Sequence, residues 1–328
     1  MPRRSWAKQP TSLSLIFDLI QTSRYDRYMP YYTMFSAVWS TLIAGALILK
    51  EDSNSVSAKH IFTQTILTSI HCLLLCGAGN TWNDLVDRDI DAMVARTKAR
   101  PLASGRVSTL DALVWMIAQY VLSVKILNWI LEGQKIWSLM LPLTASIIVY
   151  PYLKRPLFRT VFIYPQYVLG FAVSYPAMIG WVSINRRDQS AVTIAIHCTP
   201  ILVLVFFWCF YFNTAYSFQD SVDDRKMKIN SAYLVAGGRI RLFLTFLGIL
   251  TLVTIPFVVS KIDTPWLWLS WMGVWCGAIV KQIAQFDSSK PESGARIHWE
   301  NFLLGLWTVF ACVVEVIAYL NISGPCPD

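Results

Sequence analysis

The feature that most constrains this chain is a succession of long apolar runs with almost no charge inside them. About 20 such residues let an α-helix cross the hydrocarbon core of a bilayer. Backbone in lipid must satisfy its own hydrogen bonds, which leaves helices or closed barrels. These runs lack the short alternating pattern of barrel strands, so the expected fold is all-α, a polytopic bundle. Nine spans are expected: 29–49, 60–82, 108–131, 136–152, 161–184, 191–214, 241–260, 264–285 and 300–322. The fourth is short and ends at Tyr150-Pro151-Tyr152, where a tilt or break is expected. Segment 1–28 and tail 323–328 then flank one membrane domain, 29–322. Charged residues make up 15% of the 328, against about 25% in soluble domains. That is too few to cover a water-soluble surface, and it excludes a two-domain cytosolic enzyme and a disordered chain.

The net charge of +8 does not call for nucleic acid. If the N-terminus is cytosolic, 20 of the 28 Lys and Arg residues fall on the cytosolic side of the nine spans and six on the other, with Lys125 and Lys281 inside spans. The positive-inside rule predicts that asymmetry. No cleavable apolar core follows the basic start, so a secretory signal peptide is not expected. The absence of acid before Asp18 leaves a weak mitochondrial presequence conceivable, but an endomembrane location is the expectation. The sequon Asn321-Ile322-Ser323 sits too near the last span to be used. The seven cysteines include no CxxC pair and read as small buried hydrophobes. The four histidines form no ligand pair.

Acids are scarce, yet seven of the 20 crowd into two windows. The first runs Asn83-Asp84-Leu-Val-Asp87-Arg88-Asp89-Ile-Asp91, at the cytosolic end of the second span; the second contains Asp220, Asp223 and Asp224, at the cytosolic end of the sixth. On a helix Asn83, Asp87 and Asp91 form one stripe at four-residue spacing, flanked by Asp84, while Asp89 points away; Asp220 and Asp224 repeat the spacing with Asp223 beside them. Like charges so placed repel, and a divalent cation would relieve them. Mg²⁺ prefers one or two carboxylates plus phosphate oxygens, so two facing stripes suit a metal-bridged diphosphate. Arg24, Arg96, Arg100, Lys154 and Lys226 are candidates to hold the diphosphate's other oxygens, although solvated loop charges and topology signals are the competing explanation for each.

These segments resemble the UbiA superfamily of intramembrane prenyltransferases. Asn83 to Asp91 matches an NDxxDxxxD motif at every fixed position, and Arg96-Thr97…Arg100-Pro101-Leu102 is similar to the RTxxRPL that follows it. Tyr216, Asp220, Asp224 and Ser231 resemble YxxxDxxxDxxxGxKS. Arg24-Tyr25-Asp26-Arg27 and Tyr150-Pro-Tyr-Leu-Lys154-Arg155 resemble further shared segments. Lys228 and Asn230 stand where the family usually has Gly and Lys, and Asn213 where many members have another Asp. The resemblance implies a nine-helix bundle with a central cavity and transfer of a prenyl group from its diphosphate to an electron-rich aromatic acceptor. It implies Mg²⁺ held through Asp87, Asp91, Asp220 and Asp224, with Asp223 a further candidate ligand and Asn83 and Asp84 in the catalytic set.

Three functions are weighed. An aromatic prenyltransferase of meroterpenoid-type secondary metabolism with a farnesyl donor is the expectation. A 4-hydroxybenzoate polyprenyltransferase of ubiquinone synthesis would be favoured by a mitochondrial segment. An ion-coupled transporter would place its acids near the bilayer midplane. The expected partners are the isoprenyl diphosphate, the aromatic acceptor and the bilayer; no obligate protein partner is expected.

Overall fold

The computed structural model describes residues 12–52, 55–185, 190–260, 264–290 and 292–322. Residues 1–11 of the N-terminal segment, the 323–328 tail with Cys326, Ser323 of the sequon, and Arg3, Arg4, Lys8, Arg186, Arg187 and Lys261 of the charge count lie outside the described residues.

Every regular element among the described residues is a helix. α1 (Ser12–Thr22) leads into α2 (Tyr32–Glu51), α3 (Ala58–Val86) and the single-turn α4 (Arg88–Asp91). After a run of turns come α5 (Thr109–Ile130), α6 (Ile136–Val149), the short α7 (Pro156–Thr160), α8 (Pro165–Ser174), α9 (Pro176–Ile184) and α10 (Ala191–Ser217). α11 (Ser221–Met227), α12 (Tyr233–Ala236), α13 (Ile240–Val259), α14 (Pro265–Leu269), α15 (Trp275–Gln285) and α16 (Glu292–Ile322) complete the order. Three long helices begin at serines whose side chains accept a first-turn N–H: Ser57 from His60, Ser108 from Asp111 and Ser190 from Thr193. Each cap satisfies a donor that the helix itself leaves unpaired.

Eight helical stretches among the described residues are long and apolar enough to cross a membrane, which makes the chain an integral membrane protein. They match eight of the nine expected spans. The exception is 264–285. It is helical from Pro265 to Gln285, but a π-turn at Ser270–Val274 divides it. Four tryptophans and the polar Lys281-Gln282 pair also make it less apolar than the others. The fourth span ends at Val149, as Pro151 removes the N–H needed for another turn. The fifth begins at Pro165, later than the expected 161, and divides at Pro176 for the same reason.

α2 packs on α3, α9 and α16, α10 packs on α8, α13 and α16, and α5 lies against α3. Aromatic side chains fill the centre. Trp39 and Trp208 stand 5.3 Å apart, Trp208 and Trp275 5.3 Å, and Tyr32 stacks on Phe212 at 4.2 Å. Small residues let the backbones approach: a Cβ at Gly180 would lie 2.2 Å from the Ala37 carbonyl oxygen. By contrast, Leu110, Val114, Ile117 and Val121 on the outer face of α5 are exposed, as a lipid-facing stripe requires. This packing brings the ends of α3 and α10 to one end of the bundle, where the acidic segments lie.

Candidate active site

The first acidic segment straddles a helix break. α3 stops at Val86, Asp87 takes φ −95° and ψ 4°, and α4 resumes at Arg88. The Asp91 N–H still donates to the Asp87 carbonyl at 2.8 Å, so the four-residue phase survives the break. Asn83, Asp84, Asp87 and Asp91 are all buried, whereas Asp89 is exposed. The second segment also bends: α10 ends at Ser217, a 3₁₀ turn covers Phe218–Asp220, and α11 follows. Asp224 is buried there and Asp220 half-buried.

Each buried carboxylate of the two segments meets a partner, and Arg100 serves two of them. Lys154 Nζ donates to Asp87 Oδ2 and Asn83 Oδ1, both at 2.6 Å. Arg100 Nη1 reaches Asp91 Oδ2 at 2.7 Å and Asp84 Oδ1 at 3.1 Å. Arg24 binds the same Asp84 oxygen at 2.7 Å and Asn80 Oδ1 at 2.5 Å. Arg96 grips Asp220 with two parallel bonds of 2.7 and 2.6 Å, joining the two segments across 124 positions. Its guanidinium also sits 5.8 Å from the Tyr216 ring centroid. Tyr233 donates to Asp224 Oδ2 at 3.0 Å. Burial pushes the Asp91 carboxyl up, against the downward pull of Arg100, while Asp84 and Asp87 add to the rise. Burial is the largest single influence and works against the Arg96 charge, but the bond to Asp220 together with the charge interactions with Tyr216, Asp220 and Asp91 outweighs it, and the guanidinium is held more firmly protonated.

One polar cavity collects these groups. Asn83, Asp87, Asp91, Asp220 and Asp224 line it, together with Arg24, Arg96, Arg100 and Lys154. A second cavity, apolar, runs into the bundle between α3, α6 and α8, lined by Cys72, Leu75, Cys76, Gly79, Leu143, Ile147, Leu169 and Ala172 among others. Arg24, Met29, Asn83 and Tyr150 line both. The two spaces therefore meet at a polar rim.

Three expected site residues stand apart. Asp223 does not line the cavity; α11 turns it outward, where its Oδ2 accepts the Ala95 N–H at 3.4 Å. Lys226 is exposed one turn further along the same helix and lies outside the cavity. Asp84 lies beneath the lining, one oxygen shared by Arg24 and Arg100, so it anchors arginines and does not face the cavity. Both departures in the second motif have local roles. Lys228 takes φ +57° at the end of α11, where the family's glycine would sit without strain. Asn230 Nδ2 donates to the Leu153 and Ile163 carbonyls, and its N–H to the Lys154 carbonyl. It thereby staples the second acidic segment to the loop that carries Lys154.

Residues beyond the expected set also matter. Asn80 accepts from the Arg24 guanidinium at 2.5 Å, Gln166 donates to Ser231 at 2.9 Å, and Tyr233 holds Asp224. Asn80, three residues before the motif, was legible from helical spacing; Tyr233 and Gln166 carried no signal of their own. Arg24 adopts φ +62°, a left-handed conformation that costs a non-glycine residue about 1–2 kcal/mol.

The donor set suits Mg²⁺. Aspartate oxygens are the hard ligands it takes, and Asp87 Oδ1 is buried without a hydrogen bond among the described residues, the Arg155 guanidinium lying 3.4 Å away. No group of three His, Cys, Asp or Glu side chains among the described residues converges closely enough to hold a metal unaided. Mg²⁺ takes few protein carboxylates and completes its shell with phosphate oxygens and water.

The chain is similar to several known proteins. The profile of the UbiA prenyltransferase family matches residues 37–316. A polyprenyl transferase of Penicillium roqueforti, mpaA, is 68% identical over 94% of this chain and 95% of its own. A 6-hydroxymellein 5-farnesyltransferase of Talaromyces verruculosus, cdmH, is 48% identical over 92% of this chain and 91% of its own. Among solved structures, a UbiA homologue from Archaeoglobus fulgidus bound to GPP and Mg²⁺ has a TM-score of 0.64 at 15% identity, covering 93% of this chain and 99% of its own. That last likeness is one of fold.

Proposed function

Because the chain belongs to the UbiA prenyltransferase family, we propose that it moves a farnesyl group from farnesyl diphosphate to a ring carbon of a phenolic acceptor, in the biosynthesis of a meroterpenoid-type metabolite. One observation carries the reading: both acidic segments line a single polar cavity that opens at Arg24, Asn83 and Tyr150 into an apolar one. A diphosphate head suits the first space and an isoprenoid tail the second.

The residues divide the work. Asp87, Asp91, Asp220 and Asp224 would hold Mg²⁺, which when bound supplies positive charge to the departing diphosphate. Lys154, Arg96 and Arg100 stabilise the charge that develops on the leaving oxygens. Asp84 keeps Arg24 and Arg100 aimed at the head group. Breaking the allylic C–O bond leaves an allylic carbocation, which survives only where water is excluded. The apolar wall below the rim serves that exclusion, and the Tyr150 ring beside Lys154, 4.9 Å from Nζ to centroid, presents an aromatic face at the junction. The acceptor's ring carbon then forms the new C–C bond and gives up its proton to the released diphosphate, which restores aromaticity. The 20-to-6 asymmetry of basic residues supports a site at the cytosolic face, and we read the membrane as an endomembrane.

Isolated membranes given farnesyl diphosphate, Mg²⁺ and a panel of phenolic acids are expected to yield a prenylated product, lost on adding EDTA and restored by excess Mg²⁺. Absence of product across the panel and across donor lengths, with the protein intact in the membrane, would refute the reading. Lys154→Ala is expected to raise the donor KM about tenfold, the scale of one charge-assisted hydrogen bond to a phosphate oxygen. An unchanged donor KM would return Lys154 to a role in topology.

A further inference from the structure

Arg24 owes its place at the rim to a backbone turn that its own side chain does not hold. Its φ of +62° directs the guanidinium back over α3, and the residues on either side are tied to α5. Ser23 Oγ donates to Gln119 Oε1 at 3.1 Å and accepts the Trp115 indole N–H at 2.8 Å. Tyr25 OH donates to the same Gln119 oxygen at 2.6 Å. From α3, Asn80 Nδ2 donates to the Ser23 carbonyl at 3.1 Å. Gln119 is buried and lines neither the polar nor the apolar cavity. Space for the cluster is reserved by Gly77, where a Cβ would lie 2.2 Å from both Gln119 Oε1 and Tyr25 OH.

We infer that Gln119 is a positioning residue for the diphosphate site: one buried amide oxygen on α5 clamps Ser23 and Tyr25 and so fixes the left-handed turn that aims Arg24 at the donor. The physical reason is that a residue in a sparsely populated conformation persists only when its surroundings over-determine it. Backbone bonds close the turn itself, from the Arg24 N–H to the Gln21 carbonyl at 3.0 Å and the Tyr25 N–H to the Ile20 carbonyl at 3.1 Å, and the two hydroxyls that converge on Gln119 from neighbours on both sides seat that turn against α5. Without that acceptor the turn shifts off α5, and the guanidinium moves away from Asn80 and Asp84. The inference rests on the proposed role of Arg24 at the diphosphate.

The test is binding of farnesyl thiodiphosphate, a donor analogue that resists cleavage, to the purified full-length protein in detergent with Mg²⁺. Gln119→Leu, of similar volume but without the acceptor, is expected to weaken binding about tenfold, as is the milder Ser23→Ala to a lesser degree. Gln119→Glu, which keeps an acceptor oxygen at the same reach, is expected to restore most of the loss. In an Arg24→Ala background the effect of Gln119→Leu is expected to vanish, because a residue acting only through Arg24 has nothing left to position. A Gln119→Leu effect that adds in full to that of Arg24→Ala, or Gln119→Leu and Ser23→Ala proteins that fold and bind as tightly as the wild type, would overturn the inference while leaving Arg24 in place. If Arg24→Ala alone binds unchanged, the role of Arg24 falls and the inference with it.

Discussion

Asp87→Asn and Asp220→Asn are each expected to lower turnover by on the order of 10³-fold or more while the protein remains folded and inserted. The size follows from what the carboxylates do. Removing one preorganised partner of developing charge in a water-poor site lowers rates about 10²–10³-fold, and loss of a metal ligand compounds it. Asparagine is chosen because it keeps the shape. Alanine at Asp87 would leave the Lys154 ammonium with Asn83 alone, and breaking a buried pair from one side is itself destabilising by about 3–5 kcal/mol, less here because Lys154 is partly exposed. At Asp220 the change also breaks the two-pronged Arg96 bond that joins the acidic segments. Turnover of labelled farnesyl diphosphate in membranes, normalised to protein recovered as a single species in detergent, is the measurement. Activity retained by both variants would remove the metal assignment.

Ala172→Phe is expected to invert donor preference, losing the farnesyl donor and retaining the geranyl one. On α3 the apolar cavity extends from Asn83 to Cys72, 11 residues, or about 16 Å at the helical rise of 1.5 Å per residue. An isoprene unit advances the chain roughly 5 Å, from C–C bonds of about 1.5 Å. That length matches three units and falls short of four. The floor is closed: Thr68, Met140 and Ile179, one turn beyond Cys72, Leu143 and Pro176, are fully buried and line no part of this cavity. Ala172 lies seven residues into the bundle from Pro165 at the polar end, about 10 Å by the same rise, at the depth of the third unit. A phenyl ring there shortens the space to two units. Competition between geranyl and farnesyl diphosphates in one reaction gives the ratio directly; a ratio unmoved from the wild type would mean that the tail lies elsewhere, for example out between helices in the lipid.

Much of this was legible before any coordinates. Runs of about 20 apolar residues dictate helices because lipid offers the backbone no other partners, and eight of the nine expected spans are helices of the required length and apolarity. The exception, 264–285, rich in tryptophan and broken by a π-turn, departs because backbone geometry inside a helix answers to neighbouring side chains as well as to apolarity. The four-residue spacing of Asn83, Asp87 and Asp91 also survived translation, since the helix break at Asp87 keeps the phase. At the second segment spacing favoured Asp224, four residues from Asp220, over its neighbour Asp223, and α11 turns Asp224 into the cavity and Asp223 away from it. Lys226 shares with Lys154 its charge and its nearness to a motif, and only the direction in which α11 presents it leaves it outside.

The sequence by itself determined that this chain lies in a membrane as helices, that its acids come in two periodic clusters, and which basic residues accompany them. These are properties of local composition and helical period, and they read directly along one dimension. Only the tertiary structure decided that Arg96 closes on Asp220 from 124 positions away, that Asp84 serves arginines below the cavity, that an amide on α5 holds the turn at Arg24, and how deep the apolar cavity runs. Each depends on where one helix crosses another, and a contact distant in sequence leaves no period or spacing by which it could be read in advance.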